Sequence, residues 1–262
     1  MNVMNLFRLD GGKAVVVGAS QGIGRAIAVA FAEAGADVVA GARSEEGVLA
    51  TAEQVRAIGR RGLGLTLDAR DPASVAAFGE AAADFLGGVT MWVNAVGGII
   101  GRGTPNLIDM SPEDFDAMAA MNVRTVWLGA KAAAAAMEGE GAIVNISSLA
   151  GGAGAHVGFG AYGAAKAAVN SLTATLSHEL APRIRVNAIA PGSILTEAFL
   201  KLAKAKPEDL PPPADTPLGR YGLPMDIAAA ALFLASPASG WITGQCLPVT
   251  GGRFFRREVR AA

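Results

Sequence analysis

The sequence predicts an α/β fold: one domain over residues 1–262 in which a doubly wound, seven-stranded parallel sheet carries helices on both faces. Short apolar runs alternate with longer alanine-rich segments, which is the pattern of strands joined by crossover helices. The first run, Ala14-Val15-Val16-Val17, is apolar at every position, as in a strand buried on both faces of a parallel sheet. A length of 262 residues with 52% hydrophobic residues is enough for one large core.

The predicted elements follow one another in a regular order. Strands are expected at 14–17, 38–41, 63–67, 91–94, 142–146, 185–189 and 246–249. Helices are expected at 24–34, 46–59, 72–86, 112–137, 163–181 and 224–234, and those at Pro72 and Pro112 begin with an N-cap residue followed by proline. Residues 195–223 have no clear periodicity. A stretch of that length inside a compact domain is expected to be a functional lid or disordered.

Composition excludes several classes of function. The net charge is −1, so the chain lacks the broad basic surface that nucleic acid or an anionic membrane requires. Cys246 is the only cysteine, which rules out an internal disulfide and a cysteine-based metal cluster and fits a reducing compartment. His156 and His178 are too few and too scattered to suggest a metal site.

Two segments bear on the compartment. The apolar run 227–235 is too short to span a bilayer. Residues 1–10 contain one basic residue and no long apolar core, so they do not resemble a secretory signal. We therefore expect a soluble cytoplasmic protein.

Tyr162 and Lys166 are the pair most suggestive of acid/base chemistry. They stand four residues apart, which places the phenol and the ammonium on the same face of a helix. A free phenol has a pKa of about 10, and a nearby cation favours the phenolate and lowers that pKa. Lys166 could supply the cation, although a tyrosine and a lysine at this spacing are also common on solvated helix faces.

A glycine-rich turn, Gly18-Ala19-Ser20-Gln21-Gly22-Ile23-Gly24, follows the first predicted strand and leads into a helix. Glycines there let the backbone approach a pyrophosphate at the positive end of the helix. Their spacing differs from the G-x-G-x-x-G fingerprint, and a tight turn without a ligand is the alternative. After the second strand the chain has Arg43 and no acid, so the site is expected to prefer the 2′-phosphate of NADP, although Arg43 could also be a solvated loop residue.

Together, these residues resemble the short-chain dehydrogenase/reductase family from about Lys13 to Gly252. The resemblance rests on the glycine turn, Asp68, Asn94-Ala95-Val96-Gly97, Asn122, Ser148, Tyr162 with Lys166, Pro191-Gly192 and Gly251-Gly252. It implies a Rossmann-type fold and an NAD(P)-dependent oxidoreductase that interconverts a ketone or aldehyde and an alcohol. Val17 and the sequence Asn94-Ala95-Val96-Gly97 depart from the family pattern, which bears on stability and coenzyme geometry more than on reaction class.

The resemblance also implies a role for each site residue. Ser148 hydrogen-bonds the carbonyl oxygen, Tyr162 exchanges its proton, Lys166 lowers the tyrosine pKa and binds the nicotinamide ribose, and Asn122 holds a water. Ser147 could compete for the serine role, but the resemblance selects Ser148. Coenzyme contacts are expected, besides Tyr162 and Lys166, from Gly18, Ser20, Gln21, Gly22, Ile23, Gly24, Arg43, Asp68, Ala69, Asn94, Ala95, Pro191, Gly192, Ile194 and Thr196.

Substrate, partners and alternatives are less closely specified. A hydrophobic or cyclic ketone is the leading substrate class, because loops resemble the bacterial hydroxysteroid dehydrogenase branch and because Glu138 and Glu140 stand where carrier-protein reductases present basic residues. A 3-oxoacyl thioester reductase and a non-catalytic coenzyme-binding regulator are the alternatives. The family forms tetramers, so a homo-oligomer, tetramer or dimer, is expected. Its contact would be the small-residue face Ala167, Ala168, Ser171, Ala174 and Ser177, which could equally pack inside one subunit.

Overall fold

A computed structural model of the chain describes residues 2–100, 106–152 and 158–253. Within these residues one seven-stranded parallel sheet confirms the predicted fold. Its strands are β1 (Lys13–Val17), β2 (Asp37–Ala42), β3 (Gly62–Thr66), β4 (Met91–Asn94), β5 (Gly141–Ile146), β6 (Ile184–Pro191) and β7 (Cys246–Val249). The order across the sheet is β3-β2-β1-β4-β5-β6-β7.

Helices cover both faces of the sheet. They are α1 (Gly22–Glu33), α2 (Glu45–Ala57), α3 (Pro72–Leu86), α4 (Pro112–Ala119), α5 (Thr125–Ala136), α6 (Gly160–Glu179), α7 (Glu197–Ala203) and α8 (Pro224–Ala235). Successive side chains of a strand point to opposite faces, so Val16 joins a core with α1 and α8 while Val15 joins a second core with α3 and α5. Continuous apolar strands are therefore required for two cores, one on each side of the sheet.

The predicted helix 112–137 is interrupted. A π-helical stretch, Ala120–Arg124, separates α4 from α5. Inside it, the side-chain amide of Asn122 donates to the main-chain carbonyl of Met118 at 3.0 Å. This bond occupies a carbonyl of the preceding turn, and π-helical bulges of this kind are frequent at functional sites. The apolar periodicity runs through the whole segment, so the interruption could not be read from the pattern.

The chain order of the strands creates a crevice. The first three strands progress outward from β1 to β3, and the chain then returns to place β4 on the other side of β1. Ligands of open parallel sheets bind at such a switch point, outside the carboxyl ends of the strands. The glycine turn follows β1 and Asn94 ends β4, so both line this crevice. Among the described residues, every helix is too short or too polar to cross a membrane.

Residues 195–223 form an arch with tied ends. Ile194 pairs with Gly222 in an isolated parallel bridge. The amide of Leu195 donates to the carbonyl of Gly222 at 2.8 Å, and the amide of Gly222 donates to Ser193 at 3.0 Å. The arch contains the short helix α7, whose seven residues are too few to establish a clear period in the sequence pattern.

Candidate active site

The glycine turn has the geometry of an anion site. Gly18 has a φ of 91°, and a Cβ atom there would lie 2.7 Å from the carbonyl carbon of Ala95, so glycine is required. Helix α1 begins at Gly22 without a side-chain cap, whereas α2 is capped by Ser44. The main-chain amides at the start of α1 are thus not satisfied by a capping side chain, and they lie at the positive end of the helix dipole.

The side chains of Arg25 and Thr51 hold this turn in place, although the sequence analysis did not identify them. The guanidinium of Arg25 donates to the carbonyl of Ser20 and, at 3.2 Å, to the hydroxyl of Thr51. Thr51 is fully buried and donates to the carbonyl of Ala19 at 2.7 Å. Only the packing of α2 against the turn reveals this role, since nothing in the local sequence marks either residue.

An acid and two arginines lie beyond β2 and β3. Arg43 is exposed after β2, as expected, and Asp68 follows β3 next to the buried Ala69. Arg70 holds both carboxylate oxygens of Asp68, at 3.0 and 2.8 Å. This pairing, with a smaller contribution from Arg43, lowers the pKa of Asp68 to about 2. Asp68 is therefore an anion flanked by two cations, and Arg70 is a member of this group that the sequence reading did not include.

Asn94 belongs to a buried polar chain. Its side-chain oxygen accepts from the indole of Trp92 at 2.9 Å, and its amide donates to Asn145 at 2.9 Å, which in turn bonds Thr173. These bonds tie β4, β5 and α6 together. The amide of Ala95 donates to the carbonyl of Val17 at 2.8 Å, so the two departures from the family pattern lie side by side and keep the strand ends joined.

Two serines end β5, and their hydroxyls are used differently. Ser147 is buried, and its hydroxyl lies 2.6 Å from the side-chain oxygen of Asn170 and 3.1 Å from the carbonyl of Lys166. The hydroxyl of Ser148 accepts from the amide of Ala150 at 3.1 Å and hydrogen-bonds the phenol of Tyr162. Of the two, Ser148 is the serine that reaches the tyrosine.

Helix α6 carries Tyr162 and Lys166 one turn apart, as predicted. Tyr162 is half-buried. Burial raises the pKa of its phenol, and the hydrogen bond with Ser148 lowers it by less. The pKa of Tyr162 is therefore raised overall, opposite to the direction expected from the spacing of Lys166, because desolvation outweighs the hydrogen bond with Ser148.

Lys166 and Asn122 converge below the tyrosine. The Lys166 ammonium lies 5.7 Å from the centroid of the Tyr162 ring and donates to the carbonyl of Ile146 at 2.9 Å. Its burial lowers the pKa of the amine to about 8. A Cβ atom on Gly97 would lie 2.7 Å from the side-chain oxygen of Asn122 and 2.8 Å from the Lys166 amine. Lys166 of α6 and Asn122 of the π-helical stretch therefore both pack against Gly97.

The loop after β6 approaches the glycine turn. The amide of Gly192, next to Pro191, donates to the carbonyl of Val249 at 3.0 Å, and Ile194 is buried. The hydroxyl of Thr196 caps α7, and its methyl group lies 3.3 Å from where a Cβ atom of Gly22 would stand. The structure thus brings the predicted loop and the predicted turn together at one edge of the sheet.

No group of three or more His, Cys, Asp or Glu side chains suited to a metal ion occurs among residues 2–100, 106–152 and 158–253. His156 lies outside the described residues.

The geometry and the comparisons agree on the class of protein. A family model described as enoyl-(acyl carrier protein) reductase matches residues 18–253. The chain belongs to the short-chain dehydrogenase/reductase family and is an oxidoreductase of that class. The resemblance drawn from the motifs is therefore confirmed.

Relatives and solved structures match the chain along nearly its whole length. An uncharacterized oxidoreductase of Mycobacterium tuberculosis is 44% identical over 257 residues, which cover 97% of this chain and 96% of the relative. A 7α-hydroxysteroid dehydrogenase complexed with NADH and 7-oxo glycochenodeoxycholic acid has a TM-score of 0.89 at 34% identity, covering 98% of this chain and 99% of that one. A short-chain dehydrogenase of Burkholderia cenocepacia in complex with NADP has a TM-score of 0.82 at 35% identity, covering 94% and 98%.

Proposed function

We propose that the protein is an NADP(H)-preferring oxidoreductase that interconverts a hydrophobic or cyclic ketone, or an aldehyde, and the corresponding alcohol. The observation that carries this proposal is the convergence of Ser148, Tyr162, Lys166 and Asn122 beside the crevice between β1 and β4. Following NADPH absorbance with a panel of cyclic ketones, acyl thioesters and sugars tests it. Absence of turnover with every class would contradict the proposal.

The crevice fits a dinucleotide. The uncapped start of α1 suits its pyrophosphate, and the loop after β6 reaches back over the same turn. The residues proposed to hold the coenzyme are Gly18, Ser20, Gln21, Gly22, Ile23, Gly24, Arg43, Asp68, Ala69, Asn94, Ala95, Tyr162, Lys166, Pro191, Gly192, Ile194 and Thr196. Because the side chain of Asn94 is bonded to Trp92 and Asn145, its contact is proposed to come from the main chain.

Side chains of the protein are proposed to bind the carbonyl oxygen of the substrate and to transfer its proton. A bound nicotinamide supplies or accepts the hydride. Ser148 donates a hydrogen bond to the carbonyl oxygen, and Tyr162 gives that oxygen its proton as negative charge develops. In the oxidative direction Tyr162 accepts the alcohol proton, and the ammonium of Lys166 favours that charged state.

Asn122 is proposed to hold the water that connects Lys166 to solvent. Its side-chain oxygen accepts from the amide of Gly98 at 2.9 Å, and its amide donates to Gly98 and Met118. These bonds commit the side chain to shaping the π-helical stretch. The main chain of Asn122 is therefore the part proposed to bind the water.

Arg43 supports the preference for NADP. It is exposed after β2, and it lies near enough to Asp68 to lower the pKa of that carboxyl. A guanidinium can bind a 2′-phosphate with two parallel hydrogen bonds. The solved structures similar to this chain include one with NADH and one with NADP, so the preference rests on Arg43 itself.

Replacing Arg43 by alanine is expected to reduce the ratio of kcat/KM for NADPH to that for NADH by about tenfold, the equivalent of one charge-assisted hydrogen bond at an exposed site. Steady-state kinetics with both coenzymes measure this ratio. Arg8→Ala is a matched control, because Arg8 precedes β1 and lies at the amino-terminal ends of the strands, whereas Arg43 lies at their carboxyl ends. An unchanged ratio in the Arg43 variant would contradict the preference.

Exposed apolar side chains near α6 support a hydrophobic substrate. Leu107 packs within 3.2 Å of where a Cβ atom of Gly160 would stand, two residues before Tyr162, and it is 54% exposed. In the arch, which we propose to act as the substrate lid, Leu202 is 55% exposed, whereas Phe199 packs on Tyr221 with ring centroids 5.5 Å apart. Phe199 therefore anchors the arch, whereas the exposed side chains of Leu107 and Leu202 are available to contact a ligand.

A 3-oxoacyl thioester reductase is the second candidate, because the matching family model is described by a carrier-protein substrate. Glu138 and Glu140 are exposed, but they precede β5 and therefore lie at the amino-terminal ends of the strands, whereas Ser148 lies at the carboxyl ends. Their negative charge would oppose the binding of an acidic carrier protein only if that protein also contacts the amino-terminal ends of the strands. Faster turnover of acyl thioesters than of cyclic ketones in the substrate panel would favour this candidate.

We also propose that the protein forms a homo-oligomer through α6. Ala167, Ser171 and Ala174 are exposed, whereas Ser177 is buried and belongs to the inside of the subunit. Next to this face, a groove of about 390 Å³ is lined by Ala119, Ala120, Val123, Arg124, Trp127 and Leu172. The half-exposed indole of Trp127 and the small residues suit close packing of helices from two subunits.

The substitution Ala174→Arg is expected to lower the molar mass in solution to that of a smaller assembly or a monomer, because the new side chain cannot fit between closely packed helices. Multi-angle light scattering at several concentrations measures the mass. Ala50→Arg, at an exposed position of α2, is the matched control. A wild-type mass equal to that of a monomer at all concentrations would count against the oligomer.

A further inference from the structure

One amide side chain holds both ends of the loop that carries Ser148. We propose that Asn170 is a positioning residue that fixes this loop, and with it the Ser148 hydroxyl, against the helix carrying Tyr162 and Lys166. The inference rests on the proposed function, because it assigns to Asn170 an effect that passes through Ser148 to the acid/base tyrosine. No sequence motif singled out this residue.

Asn170 forms hydrogen bonds to the loop on both sides of Ser148. Its side-chain oxygen accepts from the hydroxyl of Ser147 at 2.6 Å, and its side-chain nitrogen donates to the carbonyl of Gly151 at 3.1 Å. Ser147 immediately precedes Ser148, and Gly151 follows it by three residues. The two bonds therefore tie the loop on both sides of the Ser148 hydroxyl.

The loop also packs directly on α6. A Cβ atom on Gly151 would lie 2.6 Å from the carbonyl carbon of Lys166, so main chain rests on main chain at this point. Asn170 stands one turn after Lys166, which stands one turn after Tyr162, so the three side chains share a face of the helix. Tyr162 lies on this helix, and Asn170 of the same helix holds the loop that carries Ser148. Loosening the loop is therefore expected to change the distance between Ser148 and Tyr162.

A third contact explains why the residue is an amide. The thiol of Cys246, on the edge strand β7, lies 3.3 Å from the same side-chain oxygen of Asn170. The oxygen thus accepts twice while the nitrogen donates once. A leucine of similar size could make none of these three bonds, and an aspartate could not donate to Gly151.

The test titrates the tyrosine directly. The chain has only two tyrosines, so the background substitution Tyr221→Phe leaves Tyr162 as the only phenol whose absorbance reports ionisation. In this background, Asn170→Leu is expected to raise the apparent pKa of Tyr162 by about one unit, which corresponds to the loss of one hydrogen bond from Ser148. It is expected to lower kcat about tenfold and to leave KM for the coenzyme within about twofold.

Asn187→Leu is the matched control. Asn187 is a buried asparagine on β6 that donates to the carbonyl of Ile242 at 2.8 Å and accepts from the amide of Gln245 at 3.0 Å, away from the Ser148 loop. It is expected to lower stability without moving the titration of Tyr162. Equal titrations and equal kcat values for the Asn170 and Asn187 variants would overturn the inference.

A second variant keeps the test decisive if Asn170→Leu fails to fold. Ser147→Ala deletes one of the two ties and removes a single oxygen atom, and it is expected to shift the titration in the same direction by less. No shift would overturn the inference. The phenol titration needs neither coenzyme nor substrate, so its outcome is separate from that of the proposed function, which fails if Tyr162→Phe retains turnover.

Discussion

Replacing Tyr162 by phenylalanine is expected to lower kcat by roughly 10²- to 10⁴-fold, the usual contribution of a positioned general acid or base. The substitution removes one hydroxyl and keeps the ring, which packs with Met118 and Ala161. The hydrogen bond with Ser148 is lost, and no other group takes over the proton. We propose that binding of the coenzyme depends mostly on loops away from the phenol, so the affinity for the coenzyme is expected to change little.

Single-turnover and steady-state assays measure the loss in kcat, and quenching of tryptophan fluorescence measures coenzyme binding. Tyr221→Phe is the control, because that tyrosine packs against Phe199 in the arch. It is expected to leave kcat within a few fold of wild type. If Tyr162→Phe stays within a few fold of wild type, the assignment of the acid/base group is wrong.

Replacing Lys166 by methionine is expected to abolish measurable turnover and also to change how stability depends on pH. Burial lowers the pKa of the amine from 10.5 to about 8 in the folded protein. Above pH 8 the folded state releases this proton while the unfolded state still holds it, so the free energy of unfolding rises with pH until the unfolded lysine also ionises. The cost of burying the ammonium is therefore fully present below pH 8 and is relieved towards pH 10.

Chemical denaturation of both proteins at several pH values tests this expectation. Between pH 8 and pH 10 the wild type is expected to gain about 2 kcal/mol in free energy of unfolding relative to Lys166→Met, from a pKa difference of about 2.5 units. Subtracting the variant cancels the other titrating groups. A constant difference across this range would show that the amine keeps an ordinary pKa in the folded state.

The sheet could be predicted because buried parallel strands have a strong local signature. All seven apolar runs became strands, and their continuous hydrophobicity reflects the two cores on either side. The helix predicted over 112–137 was interrupted for a reason that depends on a distant contact, because Asn122 bonds Gly98 as well as its own helix. A local pattern carries no information on such a contact.

The candidate site was predictable only where spacing or resemblance marked a residue. Tyr162, Lys166 and Ser148 were identified in this way, and the structure brings them together. Arg70 and Asn170 were missed, because each acquires its role from a partner that the fold places beside it. The direction of the Tyr162 pKa was also missed, since desolvation depends on the packing around the phenol and not on the spacing of charges along a helix.

The bridge between Ile194 and Gly222 has a consequence for the order of events during turnover. Because the bridge bonds the two ends of the arch to each other, we expect the part of the arch beyond Thr196 to be able to move while Thr196 and the Pro191-Gly192 loop stay against the glycine turn. With the proposed lid and coenzyme site, product would then leave without release of the coenzyme. The short bridge would thereby uncouple the exchange of the substrate from the exchange of the coenzyme.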